Sequence, residues 1–406
     1  MARGTNMKLI SAAVLGLFSG YASAAGFQLL EQNASGIGNA YAGSAAVADN
    51  ASTIFYNPAG MTQLQAREFS AGVTAVQTKF DFKDNGSTRP FGQPAGPNDN
   101  GGTLGIIPNG YMSWALSKDL YVGVGVGAPF GLKTEYGDNW MGRYQSTSFD
   151  IKTYNINPSI AYRVNDTVSL GFGVNIQRFE AEYIRQATPT AKVTLNANDT
   201  AYGWNIGALF TLTPATKVGV SYRSQIKYNL EGDIKGAVNT AAKADLTLPD
   251  TFILSVTQKL NDRWEMLGDV SWTGWSSIPQ LNIMNGSNVS LDKLDTQFKD
   301  TWRVALGTNY KYNDAMTFKF GIAYDKSPVP NAQHRLTSLP DNDRTWLSAG
   351  FQWKPSKTSA VDVGAAYLFV KNTEIDHNAT AQNKGYVKGS YDSSGILLGV
   401  QYSMAF

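Results

Sequence analysis

The chain contains no cysteine and only two histidines, His334 and His377. The absence of cysteine excludes disulfides and thiolate-bound metal, so stability must come from another source. Both histidines are expected in loops, and no G-x-S-x-G sequence places a nucleophile beside a base. Asp341 and Asp343 lie next to Arg344, which favours an ion-pair network over a metal site. We therefore expect neither an enzyme, nor a metal site, nor a cofactor.

Long apolar runs are also missing. After residue 24 no segment approaches 18 consecutive apolar residues, so no transmembrane helix is expected. Before it, Arg3 and Lys8 precede an apolar stretch at 9–18 and a small-residue cleavage site at 22–24, the pattern of a secretory signal peptide. Removal of this peptide would make Ala25 the first residue of the mature chain and would take the formal net charge from +2 to zero. The mature chain has no basic stripe that would indicate binding to nucleic acid.

What the chain does have is glycine, aromatic residues and repeated alternation of period two. Val122, Val124 and Val126 alternate with glycines, and the last strand alternates up to its terminal Phe406. A strand with bulky side chains on one face and only glycines on the other fits a position between lipid and the lumen of a barrel. Fourteen such segments predict an all-β fold, a 14-stranded antiparallel transmembrane β-barrel of the outer membrane: 67–82, 110–117, 120–130, 150–164, 167–183, 202–213, 216–228, 251–260, 264–272, 301–312, 316–325, 344–353, 359–370 and 393–406.

The connections between these segments alternate in length. Tight turns are predicted at 165–166, 214–215, 261–262 and 313–314, and long loops at 184–201, 229–250, 273–300, 326–343 and 371–392. Short turns on one side and long loops on the other are typical of outer-membrane barrels. The barrel must close, because an unpaired backbone group in hydrocarbon is too costly to leave at an open edge.

Two features interrupt the strand pattern. Residues 25–65 are rich in Ala, Gly, Ser and Asn and end near Asn57-Pro58-Ala59, a rigid turn, which predicts a compact hatch inside the lumen. The barrel itself would then span 66–406. The second interruption is Ala128-Pro129-Phe130-Gly131, where proline cannot donate to a ladder and strand pairing should break.

Several segments resemble the long-chain fatty acid transporter family of outer-membrane proteins over the whole mature length. They lie at 25–29, 34–43, 57–59, 298–308, 321–330, 340–344 and 346–350. The resemblance implies a 14-stranded barrel closed by an N-terminal hatch. Cargo would enter from a groove between extracellular loops, reach a pocket above the hatch and leave sideways through the wall.

The resemblance also assigns roles to residues. It makes Phe27 a pocket residue, Asn57-Pro58-Ala59 the hatch turn facing the gap, and Ala128-Pro129-Phe130-Gly131 the kink at the lateral opening. Arg185 matches the basic residue for the acid head group, and Lys293 lies near the position of a matching lysine that is poorly preserved here.

That departure leaves alternative cargoes open. A related branch of the family carries aromatic hydrocarbons, and a general porin for small polar solutes is a reading of a different class. An outer-membrane phospholipase would need catalytic groups that the sequence lacks, and an adhesive barrel would need larger loops. The expected partners are a long-chain fatty acid or other hydrophobic molecule, outer-membrane lipid and lipopolysaccharide, and the barrel-assembly machinery, which would engage the strand ending in Phe406. A monomer in the Gram-negative outer membrane, with no nucleic-acid partner, is the default expectation.

Overall fold

The computed structural model describes residues 25–406. The predicted signal peptide at 1–24 lies outside the described residues. Within them, none of the helices is long and apolar enough to cross a bilayer. The helical content is one α-helix, α1 (Thr53–Tyr56), and four 3-10 helices at Ile37–Asn39, Pro58–Gln63, Trp275–Ser277 and Thr380–Gln382.

The rest of the described chain is built from twenty strand segments in a single sheet. Their bounds are β1 (Arg67–Asp84), β2 (Leu104–Ala115), β3 (Leu120–Gly127), β4 (Gly131–Glu135), β5 (Ser148–Arg163), β6 (Val168–Gln186), β7 (Lys192–Thr213), β8 (Thr216–Arg223), β9 (Ile226–Gly236), β10 (Thr240–Leu248), β11 (Thr251–Lys259), β12 (Trp264–Thr273), β13 (Gln280–Asn285), β14 (Ser290–Asp295), β15 (Thr301–Lys311), β16 (Met316–Asp325), β17 (Arg344–Trp353), β18 (Ser359–Val370), β19 (Thr373–Asn378) and β20 (Tyr386–Ala405).

These segments form a closed antiparallel barrel of fourteen crossing strands. Six crossing strands consist of two segments each: β3 with β4, β8 with β9, β10 with β11, β12 with β13, β14 with β15, and β18 with β19. The first strand pairs with the last over seventeen positions, from Glu68 opposite Ala405 to Asp84 opposite Gly389. This closure leaves no edge at the seam between the first and the last strand, and closure is the condition for a β-protein to cross a membrane. The predicted fold class and strand number are confirmed.

The two faces of the barrel follow the alternation in the sequence. In β3 the glycines are buried against the lumen, whereas Val126 is exposed on the outside. In β20, Ile396, Leu398 and Val400 are each about half exposed, whereas Leu397 between them and Gln401 after them are buried. Exposed apolar side chains in a continuous outer band are the surface that lipid solvates.

Four of the five predicted long loops are wrong in part. Residues 184–201, 229–250, 273–300 and 371–392 contain strand segments, because β6, β7, β9, β10, β13, β14, β19 and β20 extend past the predicted strands. Above the lipid the apolar residues of these strands lie on the buried face, as Leu230 in β9 and Leu246 in β10 show, so the lipid-facing pattern ends while the ladder continues. The four predicted tight turns are confirmed by the strand bounds on either side of each.

Residues 25–64 lie inside the barrel and contact its inner wall on opposite sides. The Asn39 amide donates to the carbonyls of Thr308 and Phe320, and the Lys319 ammonium donates to the Ser35 carbonyl. On the other side the Asn57 amide donates to the Ala208 carbonyl at 2.9 Å. This packing is close because Gly207 and Gly321 carry no side chain: a Cβ at Gly207 would collide with the Asn57 amide, and one at Gly321 with the Asn39 backbone.

We expect Gly321→Leu to displace the inner segment and raise the single-channel conductance of the purified barrel in planar bilayers. Overpacking at a close contact costs about 1–3 kcal/mol, enough to shift a segment held by hydrogen bonds. Gly268→Leu is the matched control, since the nearest atom to an added Cβ there is Leu306 Cδ2 at 3.9 Å on the lipid face. Equal, near-silent conductance of the two variants would contradict a plug held at Gly321.

Candidate functional site

A cavity of about 870 Å³, called here the chamber, lies inside the upper half of the barrel. Apolar side chains provide most of its lining, as is usual for small-molecule sites. The lining residues are Phe27, Phe149, Ile151, Phe179, Ala181, Tyr183, Leu195, Ala197, Leu230, Ala242, Lys243, Ala244, Leu246, Ile278, Leu281, Ile283, Leu294, Thr296, Phe298, Leu336, Ser338 and Leu339. An apolar chamber of this size suits a hydrophobic molecule and offers little to a polar one.

Three aromatic rings separate the chamber from a second cavity. The Phe27 ring centroid lies 4.9 Å from that of Trp275 and 5.9 Å from that of Phe130. Phe130 and Trp275 also line a lower cavity of about 840 Å³, whose wall carries hydroxyls together with Asp269 and Arg303. Phe27, predicted as a pocket residue, therefore lies at the boundary between an apolar and a polar space.

The strand ladder breaks at the predicted kink. Pairing of β2 with β3 ends at Gly110 opposite Val126, and in the described chain β4 pairs with β5 alone. The amide of Asn109, next to the break, has no hydrogen-bond partner among the described residues. Residues 104–109 of β2 thus face a gap in the wall, and the predicted interruption of pairing at Ala128-Pro129-Phe130-Gly131 is observed.

Residues 27–32, inside the barrel, supply the hydrogen-bond partners that the kink at 128–131 lacks. Leu29 N donates to the Pro129 carbonyl and Gly131 N to the Phe27 carbonyl, both at 2.8 Å, and Gln28 pairs with Phe130 as an isolated bridge. The Gln32 side chain donates to the Ala128 carbonyl at 2.7 Å and accepts from Ala128 N at 3.1 Å. Residues 27–32 therefore act as a short inner strand that replaces β2 at the gap.

The start of this inner strand is fixed by acidic side chains from the barrel. Ala25 N donates to Asp325 Oδ2 at 3.2 Å and Gly26 N to Asp341 Oδ2 at 2.8 Å. Asp341 also pairs with Arg344, as the sequence predicted for this charged stretch. Among the described residues no group of His, Cys, Asp and Glu is arranged to hold a metal ion.

The hatch turn Asn57-Pro58-Ala59 does not lie at the kink. It packs against the inner faces of β6 and β7, where glycines at 171 and 207 make room for its backbone. The predicted position facing the gap is taken instead by residues 27–32, contrary to the expectation. The signal for this placement was Pro129, which breaks the wall and leaves polar backbone groups that need partners.

Polar groups gather above the chamber, at the mouth of the barrel. One cavity of about 540 Å³, called here the outer pocket, is lined by Arg185, Asp292 and apolar side chains from β7, β9 and β13. A second, of about 770 Å³, called here the vestibule, is lined by Lys293, Lys384, both histidines and several amides. Tyr183 borders the chamber, the outer pocket and the vestibule alike.

The two predicted basic residues occupy different places. Arg185 Nε lies 3.5 Å from Asp292 Oδ2 in the outer pocket, whereas Lys293 is exposed and lines the vestibule. The buried ammonium next to Arg185 belongs to Lys384, which lies 2.6 Å from Asp292 Oδ2. Asp292 and Lys384 could not be singled out from the sequence, because both lie in segments predicted as loops, where charged residues are common.

His377 is part of the structured mouth. Its Nδ1 lies 2.9 Å from the Gln145 amide oxygen, and the hairpin of β19 and β20 that carries it folds over the vestibule. Burial, followed by the charge of Lys384, lowers the His377 pKa from 6.5 to about 4. The imidazole is therefore neutral at physiological pH and forms part of a hydrogen-bonded wall.

The sequence and the fold were compared with known proteins. The model of the outer membrane protein transport protein family (OMPP1/FadL/TodX) matches residues 15–406. The long-chain fatty acid transport protein of Escherichia coli K12 is 31% identical, over 97% of this chain and 97% of that protein. Outer membrane protein P1 of Haemophilus influenzae is 30% identical, over 93% of each.

Solved structures share the fold. The chain superposes on the crystal structure of a Pseudomonas aeruginosa FadL homologue with a TM-score of 0.87, at 23% identity, covering 94% of this chain and 99% of that one. It superposes on the Pseudomonas putida toluene transporter TodX with a TM-score of 0.71, at 15% identity, covering 92% and 98%.

We expect the His377 hairpin to lose stability as pH falls from about 6.5 to about 4. A histidine whose pKa is lowered by folding contributes its full stability at pH values above its pKa in the unfolded state. Below that pH, protonation of the open form removes up to about 3 kcal/mol of the hairpin's stability. Hydrogen exchange at residues 373–378, corrected for intrinsic rates at each pH, measures this loss. His377→Gln should make the protection independent of pH; an equal pH dependence in that variant would refute the assignment.

Proposed function

Because this chain belongs to the outer membrane protein transport protein family (OMPP1/FadL/TodX), we propose that it takes up long-chain fatty acids. The chain is a transport protein of the Gram-negative outer membrane and not an enzyme. The observation that carries the proposal is the apolar chamber closed below by Phe27, directly beside the break in the wall.

The chamber accounts for affinity toward the tail. Each buried methylene contributes roughly 0.8 kcal/mol, so a long chain gains several kcal/mol from apolar contact alone. A tail binds in this way without any specific contact, and a range of chain lengths would be accepted. The relative in Escherichia coli is named for long-chain fatty acids, which agrees with a chamber lined mostly by apolar side chains.

The head group would remain at the mouth. A buried carboxylate needs a cationic partner, and Arg185 and Lys384 are two cations that lie together at the mouth, above the chamber. Arg185 can bind a carboxylate through two N–H groups, which favours it as the main contact. Lys293, on the exposed side of the vestibule, would attract the anion before it enters.

Residues 25–65 would act as the hatch, with residues 27–32 as its moving part. Displacing this inner strand opens the passage past Phe27 and, in the same step, removes the partners of the kink at 128–131. Cargo would then leave through the gap into lipid. Asn57-Pro58-Ala59 would anchor the hatch to β6 and β7 while its start moves. Transport would be passive, since the cargo shifts the hatch only by binding the shifted state better.

Aromatic hydrocarbons are the second candidate cargo. The charge of Arg185 is already matched by Asp292, and the chamber itself is apolar, so a neutral molecule would fit without a head group. The solved structure of TodX is that of a toluene transporter, although the likeness at 15% identity concerns the fold alone. A porin for polar solutes is disfavoured, because the inner segment fills the lumen.

The remaining partners follow from the surface and the closure of the barrel. The ladder between β1 and β20 is complete, which supports a monomer, since no strand edge is left at this seam for a neighbour. The outer rim would contact lipopolysaccharide. The strand ending in the exposed Phe406 would be the segment that the barrel-assembly machinery engages.

The cargo is tested by the binding of radiolabelled oleate and labelled toluene to the purified, detergent-folded protein. We expect oleate to bind and Arg185→Ala to weaken it about 10- to 100-fold, the loss expected for a hydrogen bond to a charged group, with little effect on toluene. Arg178→Ala is the control, because that arginine lies on the same strand but is exposed and paired with Glu180. Binding of toluene without oleate would move the cargo to the aromatic class.

The release route is tested by a disulfide between Gln28→Cys and Phe130→Cys. The two residues form a direct antiparallel pair whose flanking bonds place their Cα atoms about 4.5 Å apart, within disulfide range. Because the chain has no other cysteine, the bond forms without competition. We expect oxidation to abolish oleate uptake by cells and reduction to restore it. Uptake that is unchanged in the oxidised protein would exclude displacement of the inner strand.

A further inference from the structure

The carboxylate of Asp292 occupies the place proposed for the head group of the cargo. Its Oδ2 lies 2.6 Å from Lys384 Nζ and 3.5 Å from Arg185 Nε. The side chains of Lys384 and Asp292 are 7% and 9% exposed, and that of Arg185 is 18% exposed. Arg185 and Lys384, the two cations proposed to receive the head group, therefore already share a carboxylate that belongs to the protein.

The three residues come from three separate parts of the barrel mouth. Arg185 lies at the end of β6, Asp292 lies in the hairpin of β13 and β14, and Lys384 lies in the turn that precedes β20. Asp292 and Arg185 line the outer pocket, whereas Lys384 lines the vestibule. The ion pairs consequently form the boundary between the two cavities, next to Tyr183, which also borders the chamber.

The turn that carries Lys384 has few other contacts with the β13–β14 hairpin. Its backbone is tight, with Asn383 at φ 56° and Gly385 at φ 75°, and Lys384 N donates to the Ala379 carbonyl at 3.1 Å within the same turn. Among the hydrogen bonds and ion pairs of the described residues, the bond from Lys384 to Asp292 is what joins this turn to β14. Loss of that bond would uncouple the two elements.

We propose that Asp292 is an internal competitor for the cargo carboxylate, and that an anionic cargo opens the mouth by displacing it from Lys384 and Arg185. This inference rests on the proposed uptake of fatty acids and names the step that selects them. One carboxylate can replace another without leaving a buried cation unpaired, so the exchange is energetically balanced. A neutral molecule of the same shape cannot make this exchange, because it would leave both cations without a counter-charge.

The electrostatics of Lys384 agree with this role. Burial lowers the pKa of its ammonium, and Asp292 opposes that shift while Arg185 adds to it. A negative charge at this position thus favours the protonated form of Lys384, and a bound carboxylate would do so as well as Asp292 does. The site is therefore arranged for one anion at a time.

The first test compares oleate with methyl oleate, which has the same tail and no charge, on the purified full-length protein folded in detergent. We expect Asp292→Asn to tighten oleate binding about tenfold, the effect of one charge-assisted hydrogen bond freed for the ligand, and to change methyl oleate binding less than twofold. Asp138→Asn is the matched control, since it removes an acid that pairs with Lys192 at the same end of the barrel but is 78% exposed. Unchanged or weaker oleate binding in Asp292→Asn would overturn the proposal.

The second test uses the unaltered protein and does not depend on the variant folding. We expect oleate to accelerate hydrogen exchange at residues 379–385, because Lys384 leaves Asp292, and methyl oleate to leave it unchanged. Equal exchange with both ligands would exclude displacement. If the unaltered protein binds neither ligand, the proposed function fails and this inference with it; if it binds oleate but passes neither test, only the internal competitor is refuted.

Discussion

Every backbone N–H and C=O group that lies at the depth of the bilayer needs a hydrogen-bond partner, because hydrocarbon offers none. The barrel meets this requirement around its circumference by closing β1 on β20. At one place the wall does not meet it by itself. Pro129 has no N–H to donate, and the pairing of β2 with β3 extends no further than Gly110 opposite Val126. The backbone groups at 128–131 that lack a partner in the wall bond inward instead. The chain supplies their partners from its own N-terminus, and the position of that segment follows from this demand.

The same short segment completes the wall at the gap and forms part of the floor of the chamber, two tasks that separate segments could have performed. The residues that complete the wall, 27–32, are also the residues that carry Phe27 into the floor of the chamber. Movement of the floor and exposure of the gap are thus one event, since the same strand provides both. It also explains why the start of the strand is held by Asp325 and Asp341, which are buried and fixed by barrel residues. Hydrogen bonds to buried carboxylates hold the strand firmly in place, yet they can be exchanged without breaking a packed core.

The sequence was sufficient for the barrel because lipid imposes a strict pattern on one face of every strand, as Val122, Val124 and Val126 illustrate. It also located the kink, since Pro129 is incompatible with a central ladder. It failed above the membrane, where strands such as β9 and β10 continue with their apolar residues, among them Leu230 and Leu246, on the buried face and not on a lipid face. For the same reason it missed Asp292 and Lys384, whose meaning comes from burial against each other across ninety-two positions of sequence. Period-two patterns report which face meets lipid, whereas they carry no information on which loops meet each other.

The two closures of the proposed transport route would differ in chemistry, and this difference would suit an amphiphilic cargo. The ion pairs around Asp292 at the mouth would respond to charge and be indifferent to chain length. The rings of Phe27, Phe130 and Trp275 at the floor would respond to apolar volume and be indifferent to charge. A fatty acid presents one group to each closure, the carboxylate above and the tail below. A molecule with only one of these groups would meet only one of the two conditions, so selectivity for amphiphiles would follow from two simple closures in series without a finely shaped site.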